Sequence, residues 1–146
     1  MAGRIYSVGY EGLTVDGLVE RLAGSKVTTL VDVRLNAVSR RPGFSRRQLE
    51  AALSGAGIDY IHEKELGNPL DNRRSFQNGD ATDGRKRMRA ILLNGASEAL
   101  QRLVDLASRE RIAVLCLERD HDRCHRAVIT EMVVERNASI DVLRVL

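Results

Sequence analysis

Eleven residues near the end of the chain, CLERDHDRCHR (116–126), hold two thiols, two imidazoles, three guanidinium groups and three carboxylates. Glu118 is of the type that moves protons as a general acid or base. His125, between Cys124 and Arg126, is a candidate acid–base group in support, or an anion ligand at the start of a helix. Cys124 is expected to open that helix, where the dipole and the neighbouring Arg123 and Arg126 favour a thiolate. Residues adjacent on a helix point about 100° apart, so Cys124 and His125 are expected not to face each other. Cys116, at the end of a buried strand, is either a second reactive thiol or a small core residue.

Spacing narrows the chemistry. A phosphatase loop places Arg six positions after its Cys, but Asp122 and Thr130 stand there instead. A redox CxxC is absent, because the two cysteines are eight apart. Cys116, His121, Cys124 and His125 match no standard zinc spacing, so no metal site is assigned. A disulfide between the cysteines would act as a switch in a reducing compartment.

Further candidates come from other parts of the chain. Asp32 and Arg34 end a strand-like run, and Tyr10 and Glu11 follow another. Arg34 to Arg47 contains five arginines and no acid, with RRPGFSRR at its centre. Arginine forks suit phosphate, carboxylate or a nucleic-acid backbone. Catalytic candidates are therefore Glu118, Asp32, Cys116, Cys124 and His125. Substrate-binding candidates are Arg34, Arg40, Arg126, Tyr10 and Glu11. Arg34→Ala is expected to abolish turnover while leaving the fold intact.

These residues need elements to hold them. Ile5–Val8, Val27–Val33, Ile58–His62, Ile112–Leu117 and Ile140–Leu146 read as strands. Thr14 caps a helix with an apolar stripe at Val15, Leu18, Val19 and Leu22, ended by Gly24. Ser45 caps a second, with Leu49, Ala52 and Leu53. Residues 85–107 read as helix broken at Asn94-Gly95, and 124–135 as a last helix. Residues 63–84 show no periodicity and are expected to be a loop. Alternating strands and helices predict a three-layer α/β/α sandwich with a mostly parallel five-stranded sheet, Rossmann-like, as one domain over 1–146. Ligands of such sheets bind outside the carboxyl ends of the strands, where all the candidate residues fall.

The bulk properties agree. The 146 residues are 43% hydrophobic and 29% charged, which suits a globular chain. Only 3% are aromatic, so the core must come from Leu, Val, Ile and Ala. A net charge of +3 tolerates anionic partners without demanding them. The opening MAGRIYSVGY has no signal-like apolar run, and no stretch approaches the about 20 residues that span a bilayer. A cytoplasmic protein without membrane contact is expected.

SVGYEG, TLVDVR, SRRPGFS, GIDYIHEKELG and CLERDHDRCHR occur in this order over nearly the whole chain. In this the chain resembles the domain-of-unknown-function 488 family. The resemblance implies an α/β domain with Cys116, Glu118, Cys124, His125 and Arg126, together with Asp32 and Arg34, at the family's motif positions. It implies no reaction. The Asp-Val-Arg strand end also looks like sulfurtransferases of the rhodanese type, but Glu118 and Asp120 intrude where their basic loop would follow Cys116. The leading expectation is an enzyme acting on a phosphate-bearing or other anionic substrate, such as a nucleotide or nucleic-acid component. The alternatives are a nucleic-acid-binding module and a metal or thiol-redox sensor. No cofactor or oligomeric state is assigned.

Overall fold

The computed structural model describes residues 3–77 and 82–145. Five short aliphatic runs form strands: β1 (Arg4–Gly9), β2 (Thr29–Asp32), β3 (Asp59–His62), β4 (Arg111–Cys116) and β5 (Asp141–Val145). They make one sheet in the order β3-β2-β4-β1-β5, and each pairing is parallel. Among the described residues six helices join them: α1 (Val15–Gly24), α2 (Arg46–Gly55), α3 (Leu70–Gln77), α4 (Thr82–Asn94), α5 (Ser97–Arg109) and α6 (Arg126–Arg136). The expected three-layer α/β/α, Rossmann-like architecture is therefore present.

Side-chain alternation explains why both faces of the sheet are apolar. Tyr6, Val8, Leu30, Ala113 and Leu115 pack under Leu18 and Leu22 of α1 and Leu49 and Leu53 of α2. Ile5, Val31, Ile112, Val114 and Cys116 turn the other way, toward Met88, Leu92, Leu100, Leu103, Ile129 and Val133 of α4, α5 and α6. Each fully buried Leu of this kind contributes about 1.5–3 kcal/mol. The same period of two assigns Cys116 to the face covered by α6. That helix begins just after the second cysteine.

Local chemistry sets most element ends. Thr14 Oγ1 accepts the Gly17 N–H at 3.0 Å, as a cap should. Ser45 precedes α2 but caps nothing with its hydroxyl, which exchanges hydrogen bonds with the backbone of Ser39 instead. The helical region does break at Asn94-Gly95, between α4 and α5.

The stretch expected as a loop is largely helical. A 3-10 turn spans Lys64–Leu66, α3 follows, and α4 begins at Thr82; residues 78–81 lie outside the described residues. Periodicity missed α3 because it buries only a little of its surface, with Phe76 entering the core and Asn72 bonded to Asn68 and the Gly84 carbonyl. The last helix starts at Arg126, two residues later than expected.

Two glycines bring the strand ends together. A Cβ on Gly9 would collide with the Glu118 carbonyl, and one on Gly67 with the Leu35 backbone. The segment leaving β4 can therefore lie on β1, and the turn after β3 can lie on the exit from β2. No described helix is long and apolar enough to cross a membrane.

Candidate active site

β4 ends at Cys116, paired in register with Gly9 of β1, while Asp32 of β2 pairs with Leu115. The carboxyl ends of three adjacent strands thus share one edge. Beyond β4 the chain makes a 3-10 turn at His121–Arg123, capped by Asp120 accepting from the Asp122 N–H at 3.0 Å. Cys124 is extended, and His125 is the N-cap of α6. The turn swings Cys124 and His125 back over the end of β4.

The two cysteines and the histidine meet there. His125 Nδ1 lies 3.5 Å from Cys124 Sγ and 3.8 Å from Cys116 Sγ. The expectation that Cys124 and His125 face apart is overturned, because neither residue is inside the helix and the 100° rule does not govern them. Spacing also argued against a metal site, yet the three ligand atoms lie within 4.8 Å of one another. Zinc spacing rules describe knuckles and hairpins; here a strand end and a helix start supply the donors. The exposures are 5% for Cys116, 2% for Cys124 and 4% for His125.

Burial and neighbours set the protonation of this group. Cys116 is held well above its ordinary pKa by its hydrogen bond with Cys124, by burial and by the charges of Cys124 and Glu118. Burial pushes Cys124 up, but Cys116, His125 and Arg126 together hold it well below its usual value. Burial pushes His125 down, and Cys124, the Val33 carbonyl and Glu118 together more than reverse this. Cys116 donates to Glu118 Oε2 at 3.2 Å. Glu118 Oε1 lies 3.4 Å from Arg73 Nη2, a half-exposed ion pair.

Arg126 braces this centre from inside, with only 1% exposure. Its Nε donates to Cys124 Sγ at 3.2 Å, Nη1 to Ser7 Oγ at 3.1 Å, and Nη2 to the Glu118 carbonyl. Each of its three nitrogens is thus bonded to a protein group, and Arg126 also lines a recess with Ser7, Glu11, Arg119 and Arg144. Ser7 Oγ also lies 2.6 Å from His121 Nδ1. Burial, then Arg126 and Arg144, hold His121 below its ordinary pKa.

Asp32 and Arg34 also reach this edge, but each is saturated. Arg34 Nε and Nη2 grip the two oxygens of Asp32 at 2.8 and 2.6 Å, and Nη1 donates to the Phe44 carbonyl at 2.7 Å. Tyr60 donates to Asp32 Oδ2 at 2.5 Å. Asp32 has no solvent exposure and no oxygen left for proton transfer. Asp32 is thus committed to Arg34 and Tyr60, while Arg34, bonded to Asp32 and Phe44, also lines the hollow over the cluster. Burial works against the charge of Arg34, and Asp32 more than reverses that effect.

An open hollow of about 290 Å³ lies over the cluster, lined by Tyr10, Arg34, Leu35, Asn36, Val38, Asn68, Leu70, Arg73, Cys116, Leu117 and His125. Tyr10 stacks on Phe44, with ring centroids 4.4 Å apart. Glu11 faces a different recess, beside Arg119, His121 and Arg144. Arg40 lies in an outer crevice with Arg41, Arg46 and Arg47 and does not join the cluster. Sequence reasoning missed Arg73, Asn68, Tyr60 and Ser7. Ser7 alone carried a signal, as a hydroxyl within an otherwise apolar strand.

Neither a curated protein nor a solved structure matches the chain significantly. The family model described as "Domain of unknown function DUF488" matches residues 14–133, from the start of α1 to near the end of α6, and so includes every member of the cysteine–histidine cluster. The match spans well over half of the sequence, and the chain belongs to the DUF488 family.

Proposed function

We propose that this protein is an enzyme acting on a small anionic substrate held in the hollow at the strand ends. The observation that carries this reading is that Cys116 and His125 form part of the wall of an open hollow whose other wall carries Arg73. Arg34 and Arg126 are spent on the protein itself, so Arg73 is the cation that can turn to a bound anion. The Asn36 and Asn68 amides offer further hydrogen bonds, while Leu35, Val38 and Leu70 suit an apolar portion of the substrate. Glu118 is the proton carrier: it is partly exposed and touches both Cys116 and Arg73. Thermal shift against nucleotides, sugar phosphates and small carboxylates tests the reading. Saturable stabilisation by one class, lost in Arg73→Ala, is expected, and Glu118→Gln should abolish turnover of that ligand while still binding it. No stabilisation across the panel overturns the proposal.

A second reading, nucleic-acid binding, is favoured by the exposed Arg40, Arg41, Arg46 and Arg47 around the outer crevice. It requires affinity that falls steeply with salt, because each neutralised phosphate releases counterions. Filter binding to single- and double-stranded DNA and RNA at two salt concentrations separates it from the first reading. Absent or salt-insensitive binding ends it.

A further inference from the structure

We propose that Cys116, Cys124 and His125 bind one divalent transition metal ion, zinc being the ion that this donor set selects, with a fourth position open toward Glu118 and the hollow. The proposal deepens the reading of the hollow as an active site, and it rests on that reading only for the use of the fourth position. Metal binding itself stands on the geometry of the three donors.

The separations fit a tetrahedral site. With Zn–S of about 2.3 Å and Zn–N of about 2.0–2.1 Å, the sulfur-to-nitrogen edge of a tetrahedron is about 3.6 Å. The two observed edges, from His125 Nδ1 to Cys124 and to Cys116, are 3.5 and 3.8 Å. All three donor atoms fall within 4.8 Å of one another, so a single ion can reach them with small side-chain adjustments.

The imidazole is oriented as a ligand. His125 Nε2 lies 2.8 Å from the Val33 carbonyl, which can only accept. Nε2 therefore carries the hydrogen, and in the neutral ring Nδ1 turns its lone pair toward both sulfurs. Metal-binding histidines are characteristically fixed by a hydrogen bond of this kind from the second ring nitrogen.

Charge and burial point the same way. Among the described residues Arg126 has no carboxylate partner, and its Nε donates to Cys124 Sγ. Two thiolates balance a divalent ion, and Glu118 has Arg73 as its own partner. The soft sulfur and nitrogen donors favour zinc, or cobalt as its substitute, over magnesium or calcium, which take oxygen. Three protein ligands with an open fourth position are the arrangement of catalytic zinc. Here a water entering from the hollow would complete the sphere, beside Glu118, whose Oε2 lies 3.2 Å from Cys116 Sγ.

Cobalt(II) titration of the reduced, metal-free full chain tests this. One equivalent should bind per chain with a sulfur-to-cobalt charge-transfer band and the visible bands of a tetrahedral ion, and zinc should displace it. Bound zinc should also protect both thiols from a disulfide reagent. Cys124→Ser and Cys116→Ser should each lose the charge-transfer intensity of one sulfur, with circular dichroism confirming the fold. Non-stoichiometric binding, no charge-transfer band, or thiols equally reactive with and without zinc overturns the proposal, and the wild-type readouts decide it even if a variant fails to fold. Reduced protein that ignores both ions but forms a Cys116–Cys124 disulfide on oxidation overturns it in favour of a redox pair. Stoichiometric cobalt binding with no ligand found in the substrate panel keeps the metal site and removes the enzyme reading. Ligand binding without metal does the reverse.

Discussion

Arg34 grips Asp32 with two parallel hydrogen bonds, 2.8 and 2.6 Å long, from only two residues further along the chain. The pair is buried at the end of β2, and Arg34 also ties down the Phe44 carbonyl at 2.7 Å. Removing one partner of a buried pair leaves the other charge uncompensated, at a cost of about 3–5 kcal/mol. Arg34→Ala should therefore lower the urea midpoint sharply. The burial of the pair argues against the expectation that this substitution spares the fold. An unchanged midpoint would mean that the clamp carries little energy.

Tyr60 completes this clamp, and it gives the fold an alkaline limit. Burial and the hydrogen bond to Asp32 raise its pKa above the ordinary value of 10.0. Between the unfolded and folded pKa values the folded state holds a proton that the unfolded state releases. Stability is then complete below about pH 10 and declines as pH rises beyond it. Tyr60→Phe should flatten that decline while costing about 1.5–3 kcal/mol at neutral pH for the lost hydrogen bond to a charged carboxylate. Denaturant midpoints of both proteins at pH 8, 10 and 11 check this, and parallel curves would reject it.

The sheet and its helices were legible because Val27–Val33 and Ile112–Leu117 carry apolar residues on both faces, and because Leu18 and Leu22 recur at helical spacing. The meeting of the strand ends at one edge was legible as well, since carboxyl ends of parallel strands must converge. The roles of the arginines were not. A guanidinium reads the same in sequence whether it faces solvent or, like Arg126, is consumed by Ser7, Cys124 and Glu118. The meeting of Cys124 with His125 was hidden too. It depends on the 3-10 turn at His121–Arg123, which delays the helix by two residues.

Gly9 offers a test of that convergence. Its missing Cβ lets the Glu118–Arg119 backbone rest on β1, where Tyr10 and Glu11 donate to the Cys116 and Leu117 carbonyls, each at 3.0 Å. Gly9→Ala must push that segment away, with an overpacking cost of about 1–3 kcal/mol. The displaced segment carries Glu118, so any turnover found for the wild type should fall more than stability does. Urea denaturation and kinetics on the same preparation measure both. Full activity would show that Glu118 tolerates the shift.

Arg126 ties β1, through Ser7, to the segment between β4 and α6, through the Glu118 carbonyl and Cys124. Arg126→Lys keeps the charge but replaces a planar fork by a single ammonium, which cannot reach three corners at once. Each lost hydrogen bond from a charged donor costs about 1.5–3 kcal/mol, and buried acceptors are left unpaired besides. Arg126→Met keeps similar volume and removes the charge altogether. If the fork geometry matters, the lysine variant should be nearly as destabilised as the methionine variant, and both should expose Cys124 to a disulfide reagent faster than the wild type does. If charge alone matters, the lysine variant should match the wild type in urea midpoint and in thiol reactivity, and the bracing role assigned to Arg126 would fall.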